Sequence, residues 1–210
     1  SNGDGPSPAI RISAGGGRSA FPGQSTATAG TSGAASAVPG LAGFTFPPGI
    51  MVKFRAELPA SGPRQSAVIG YENYVRSMWY AVATRGSETA YKQYILGNAR
   101  AFTQSLVGEF SINGWKLRGT IVYYKISVPS VYASGSAVVS ACVDASGLYR
   151  VNAQTGDVVG SVFGTTYDHY LEEASVGQEP GSATRPGGPW VVTHTGNIPA
   201  SSGGAARACT

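Results

Sequence analysis

The reactive side chains in this 210-residue sequence are few. It has two histidines, His169 and His194, and two cysteines, Cys142 and Cys209. A proton-transfer site needs a base of tuned pKa and a donor within hydrogen-bond reach. The candidate bases are Asp144, Asp168, His169 and His194, and the candidate donors are Tyr71 and Tyr74. Their spacing argues against a shared pocket. Asp168 and His169 are neighbours in a stretch that alternates as a strand does, so they face opposite sides. Asp144 shares a face with Cys142 and sits at a strand end, where an exposed carboxylate is ordinary. Glu172 and Glu173 are adjacent, face opposite ways, and do not make a carboxylate pair. His194 alternates with Trp190 and Val192, and either these three face inward or Val191 and Thr193 do; a satisfied or half-exposed histidine, or one lining a pocket, suits it better than a base. The sequence assigns no catalytic residue.

Other chemistry is also missing. Gly15-Gly16-Gly17 lies in a low-complexity stretch with no strand before it, so it is no phosphate loop. Gly-x-Ser-x-Gly does not occur. Neither cysteine has a second Cys or a His at ligand spacing, so no metal site is expected, and no cofactor. The net charge of +4 is spread out, with no Lys/Arg stripe to meet nucleic acid. No apolar run reaches membrane-spanning length.

The first residue is Ser, followed by Asn-Gly-Asp-Gly. Either the sequence begins at a processing site, or Ser1-Asn2 is itself a remnant of cloning. In bacterial lipoproteins such small polar residues follow the lipidated Cys, so the expectation is an exported protein with a lipid anchor upstream. In that setting Cys142 and Cys209 read as a disulfide, closing a long loop and contributing about 3–4 kcal/mol. The alternative is two unrelated thiols, one in a strand and one on a loose tail.

The element that would position these residues is a helix over Arg64 to Thr84. Val68, Tyr71, Val75, Met78 and Val82 recur at spacings of three and four, and Tyr74 and Trp79 widen the stripe. Tyr71, Tyr74, Met78 and Trp79, with His194, are therefore the candidate lining of a ligand pocket. Residues 1–43 are rich in Gly, Ser, Ala, Thr and Pro and read as a flexible tether. Residues 44–63 form an extended segment, with Ile50, Val52, Phe54 and Ala56 on one side. After the long helix come a short helix over Ala90 to Leu96 and a third over Ala99 to Ile112. Four strands follow, over 115–132, 137–144 with a continuation at 148–152, 160–176 and 190–195. The domain spans 64–196, a polar loop covers 177–189, and 197–210 read as a tail anchored by Cys209.

A long helix, two shorter ones and four antiparallel strands is the order of the NTF2-like, or cystatin-like, α+β cone. The letters add YENYVRSMWYAVAT, NGWKLRGTI, SACVDASGLYRVNAQTGDVV and GPWVV. On these the chain resembles exported NTF2-like lipoproteins of Gram-positive bacteria, over roughly residues 64 to 196. The resemblance implies three helices on a curved four-stranded antiparallel sheet, with an added N-terminal extended segment. Functionally it implies an envelope-tethered, non-enzymatic binding or accessory protein. Its partner would be a protein or a small apolar ligand, or a second copy through the sheet face. Some relatives of that fold are isomerases or dehydratases with an Asp or His base, and others are scaffolds in envelope assemblies.

Overall fold

The computed structural model describes residues 41–178 and 190–209. The expected tether, up to residue 40, and most of the expected polar loop lie outside those residues.

The long helix α1 spans Gly62–Ala83. Pro63 suits its first turn, where an amide donor is not needed. Beyond Thr84 the chain turns through Arg85 and Gly86, both at positive φ, and the Gly86 amide donates to the Ala81 carbonyl at 2.8 Å. A single 3-10 turn, Ala90–Gln93, replaces the expected short second helix. Helix α2 spans Gly97–Ile112.

The strands are β1 (Ile50–Arg55), β2 (Trp115–Val131), β3 (Ser136–Asp144), β4 (Leu148–Asn152), β5 (Val158–Ser161), β6 (His169–Gln178) and β7 (Trp190–Pro199). The expectation was four strands, and the sheet has seven. The difference has a local cause. β3 pairs antiparallel with residues 122–131 of β2 and β4 with residues 115–119, so the two follow one another along the same partner. The Gly119 amide donates to Gly49 beside β1, and the next amide, Thr120, donates to Gly147 beside β4. Successive amides point to opposite edges, so β1 and β4 flank β2 on different sides. The turn at Ser146-Gly147 splits one long strand into β3 and β4. A 3-10 turn at Thr165–Tyr167, opened by Gly164 at φ 75°, likewise separates β5 from β6. Residues 165–167 are therefore not strand, contrary to the sequence reading. β1 joins β2 in parallel, which the sequence did not indicate.

The sheet curls around α1, and the core lies between them. Its inner face carries Ile121 and Tyr123 from β2, Val139, Ala141 and Val143 from β3, and Tyr170, Ala174 and Val176 from β6.

The end of the chain is not a tail. Residues 197–199 belong to β7, and α3 spans Gly203–Cys209. Cys142 and Cys209 form a disulfide across 67 residues. α3 covers Leu171 and Tyr124 on the outer face of the sheet, with Ala205 buried there. The cross-link is worth about 4 kcal/mol by loop closure.

Candidate functional site

Among the described residues, the chain's own side chains occupy the hollow between α1 and the sheet. Tyr71, Tyr74, Met78 and Trp79 are all buried, as the helical stripe requires. They pack as core. The clefts described on this surface do not have these four in their lining. Trp79 Nε1 donates to Tyr123 Oη at 2.8 Å, and the Tyr74 hydroxyl donates to Met78 Sδ at 3.4 Å. Tyr71 meets Tyr123 edge-on at 6.2 Å, and Phe54 stacks on Tyr123 from the β1 side at 5.4 Å.

Among these rings sits a carboxylate. Glu172 is 2% exposed. It lies on the inner face of β6 because Tyr170, Glu172, Ala174 and Val176 alternate with outward His169, Glu173 and Ser175. Ala141 stands opposite it on β3 and Asn197 opposite it on β7. Burial pushes its carboxyl up to about 7, and the nearby Tyr71 hydroxyl holds that rise back slightly. Neither Tyr71 Oη nor Glu172 Oε1 completes a hydrogen bond. Tyr71, Tyr74 and Tyr170 are held well above the ordinary tyrosine range, by burial first and then by the charge of Glu172. Tyr123 is raised by burial first, then by Tyr170 and Glu172. A second buried carboxylate, Glu72, lies on another flank of α1. It pairs with Arg76 at 3.1 Å, and that guanidinium rests 4.6 Å over the Phe54 ring.

Adjacency to Glu173 rules out a carboxylate pair but says nothing of burial, so that relation alone misses Glu172. The signal was its place on an otherwise apolar stripe, two residues from Tyr170 and two from Ala174. The expected bases fall elsewhere. Asp144 is half-exposed on the outer face, accepts from the Ser146 amide and hydroxyl, and lies 3.6 Å from His169 Nδ1. Asp168 ends the 3-10 turn.

His194 is exposed, so the expectation that it lines an inner pocket is corrected. The cause is a bulge. Ser175 pairs with His194 but Val176 pairs with Val192, which leaves Thr193 as an extra residue. Simple alternation from Val192 fails across that step. Thr195 and Asn197 take the inner face, and His194 turns outward to Asn98 at 3.2 Å.

The hollow reaches the surface near one aromatic cleft of about 260 Å³, lined by Phe102, Phe163, Tyr167 and Asn197. Phe163 forms its inner wall, with its ring 5.8 Å from Trp79 and edge-on to Tyr170 at 5.9 Å. Tyr167 meets Tyr170 at 6.3 Å. Asn197 Oδ1 is buried and unpartnered. Among the described residues no cluster of His, Cys, Asp and Glu could hold a metal ion, and no helix is long and apolar enough to cross a membrane.

Fold and site together define a mixed α+β domain whose helices pack on a curled antiparallel sheet around a buried carboxylate. No protein-family model matches the sequence, and no curated protein matches it. Among solved structures the chain is similar to the intermembrane-space region of the chloroplast protein ARC6. The identity is 16%, over 67% of this chain and 99% of that one, with a TM-score of 0.39.

Proposed function

We propose that this chain is an extracytoplasmic, envelope-tethered binding or accessory domain of the NTF2-like cone type, and that it does not catalyse a reaction. The observation that carries the reading is the filled hollow. Its central carboxylate, Glu172, is buried among four tyrosines, so no substrate atom reaches it. An isomerase or dehydratase needs its base within hydrogen-bond reach of the proton it removes. The Asp and His residues that could serve as base lie away from the hollow. Binding at the rim needs no such access, and the aromatic cleft offers a preformed place for it. The extracytoplasmic part rests on the Cys142–Cys209 disulfide, which persists in oxidising compartments. Tethering rests on the composition of residues 1–40, rich in Gly, Ser, Ala, Thr and Pro.

The carboxylate beside a tyrosine hydroxyl favours a second reading, proton abstraction by Glu172 after the hollow opens. One experiment separates the two. The oxidised protein is incubated in deuterated water with small ketones bearing an acidic α-hydrogen, and exchange is followed by NMR. The binding reading expects exchange at the buffer rate. Exchange that is faster and is lost in Glu172→Gln would establish the enzyme instead. For location, the chain is recovered from its native cells under alkylating conditions. Two free thiols would refute the extracytoplasmic assignment.

A further inference from the structure

We infer that the cleft formed by Phe102, Phe163, Tyr167 and Asn197 is a binding site for a small organic cation, a primary or secondary ammonium carried on an apolar body. The inference rests on the binding reading above and gives it a ligand class.

Three observations converge on that chemistry. The walls are aromatic: Phe102 and Phe163 lie nearly parallel with centroids 6.4 Å apart, and Tyr167 completes the lining. Aromatic faces attract a cation within about 6 Å, most strongly where water is excluded. Asn197 is the polar residue of the lining, and its Oδ1, buried just out of reach of solvent, has no donor. A buried acceptor left unpaired is costly, and an ammonium N–H that reached it would recover that cost. Behind Asn197 lies negative charge. Glu172 is its direct cross-strand partner, and such pairs place their Cβ atoms about 4.5–5.5 Å apart on one face. The buried Glu172 carboxylate does not line the cleft, but when ionised it acts on it through its field from the residue paired with Asn197. An anion would meet that charge unfavourably, and a neutral apolar ligand would leave Asn197 unpaired. A volume of about 260 Å³ suits a single-ring amine.

The site is also pH-dependent in a stated direction. The groups facing Glu172 are Tyr71 and Tyr74 from α1, Tyr123 from β2 and Tyr170 from β6. Ala141 of β3 and Asn197 of β7 complete its surroundings. The tyrosines are all raised and stay neutral, so only Glu172 changes charge near neutrality. A cation in the cleft is favoured by the field of the ionised carboxylate without touching it, so affinity rises as pH passes upward through about 7.

The test uses the full oxidised chain and three probes of one shape: benzylamine, benzyl alcohol and benzoate. Binding is read from NMR chemical-shift changes at Phe102, Phe163 and Asn197, and affinity from titration. Benzylamine is expected to bind at this cleft at least tenfold more tightly than either other probe. Its affinity should rise about tenfold from about pH 6 to about pH 8. Glu172→Gln should remove that pH dependence, and Asn197→Ala should weaken benzylamine and benzyl alcohol alike, since both carry a donor for its oxygen. Both variants are checked for folding by the dispersion of the same spectra. Equal binding of benzylamine and benzyl alcohol, or an unchanged pH profile in Glu172→Gln, overturns the cation site and leaves the binding cleft standing. Absence of shifts with all three probes overturns both.

Discussion

A carboxyl whose pKa is 4.5 in the unfolded chain and about 7 in the folded one binds more protons when folded across the interval between those values. Stability therefore falls as pH rises through that window. Below it Glu172 is neutral in both states and costs nothing extra. Above it the folded state carries a buried charge with no cation beside it. At about 1.4 kcal/mol per decade the difference is on the order of 3 kcal/mol. Urea unfolding at about pH 5 and about pH 8 should show the loss, and Glu172→Gln should remove most of it. Glu72 is raised too, by burial first with Arg76 pulling it down, so a smaller slope of the same sign remains in the Gln variant. An identical slope in wild type and variant would mean that Glu172 is not buried in the folded protein. A residue that destabilises its own fold in this way is one that packing alone would replace with Gln or Leu, which is why Glu172 points to function.

α1 approaches β7 so closely that a glycine is required at their crossing. A Cβ on Gly70 would stand 2.6 Å from Trp190 Cβ and 2.9 Å from the Trp190 carbonyl oxygen. Replacing Gly by Ala inside a helix ordinarily stabilises by about 1 kcal/mol. Here the atoms in the way are backbone and Cβ, which cannot swing aside, so Gly70→Ala should destabilise by about 1–3 kcal/mol. Gly108 in α2 is the control, since nothing lies within 4 Å of its Cβ position. Gly108→Ala should stabilise, and thermal unfolding of the two variants should move in opposite directions. The stripe from Val68 to Val82 made α1 legible in the sequence, because helical spacing and burial repeat together. The contact at Gly70 was not legible, because it depends on where β7 lies. The same limit hid the end of the chain. GGAARAC has too few large apolar residues to announce a helix, and its position follows from the disulfide and from Leu171 beneath it.

At the scale of the molecule, the order of helices before strands and the alternation within each strand gave the architecture, since both are local properties. The breaks and bulges that split the sheet into seven strands depend on register between distant segments. The bulge at Thr193 sent His194 outward and brought Asn197 inside, so the residues of the cleft could not be picked from alternation. The same irregularities divide the domain into regions of unequal local stability. α1 and β3 are buried along most of their length and paired or packed on all sides. Among the described residues β5, four residues long, pairs only with β4, exposes Val158 and Val159, and leads through Phe163 into the 3-10 turn that ends at Tyr167. Few buried contacts and exposed hydrogen bonds lower the free energy of local opening. Native-state hydrogen exchange should therefore find residues 158–168 opening well before the rest, at a rate insensitive to low urea. Amides of residues 68–82 and 137–143 should exchange only by global unfolding, with a steep urea dependence. The segment that opens first is then the inner wall of the aromatic cleft, and a ligand held there should slow exchange in 158–168 without changing it in α1. If 158–168 exchange together with 137–143, the domain opens as one unit, and Phe163 is part of the core rather than a movable wall.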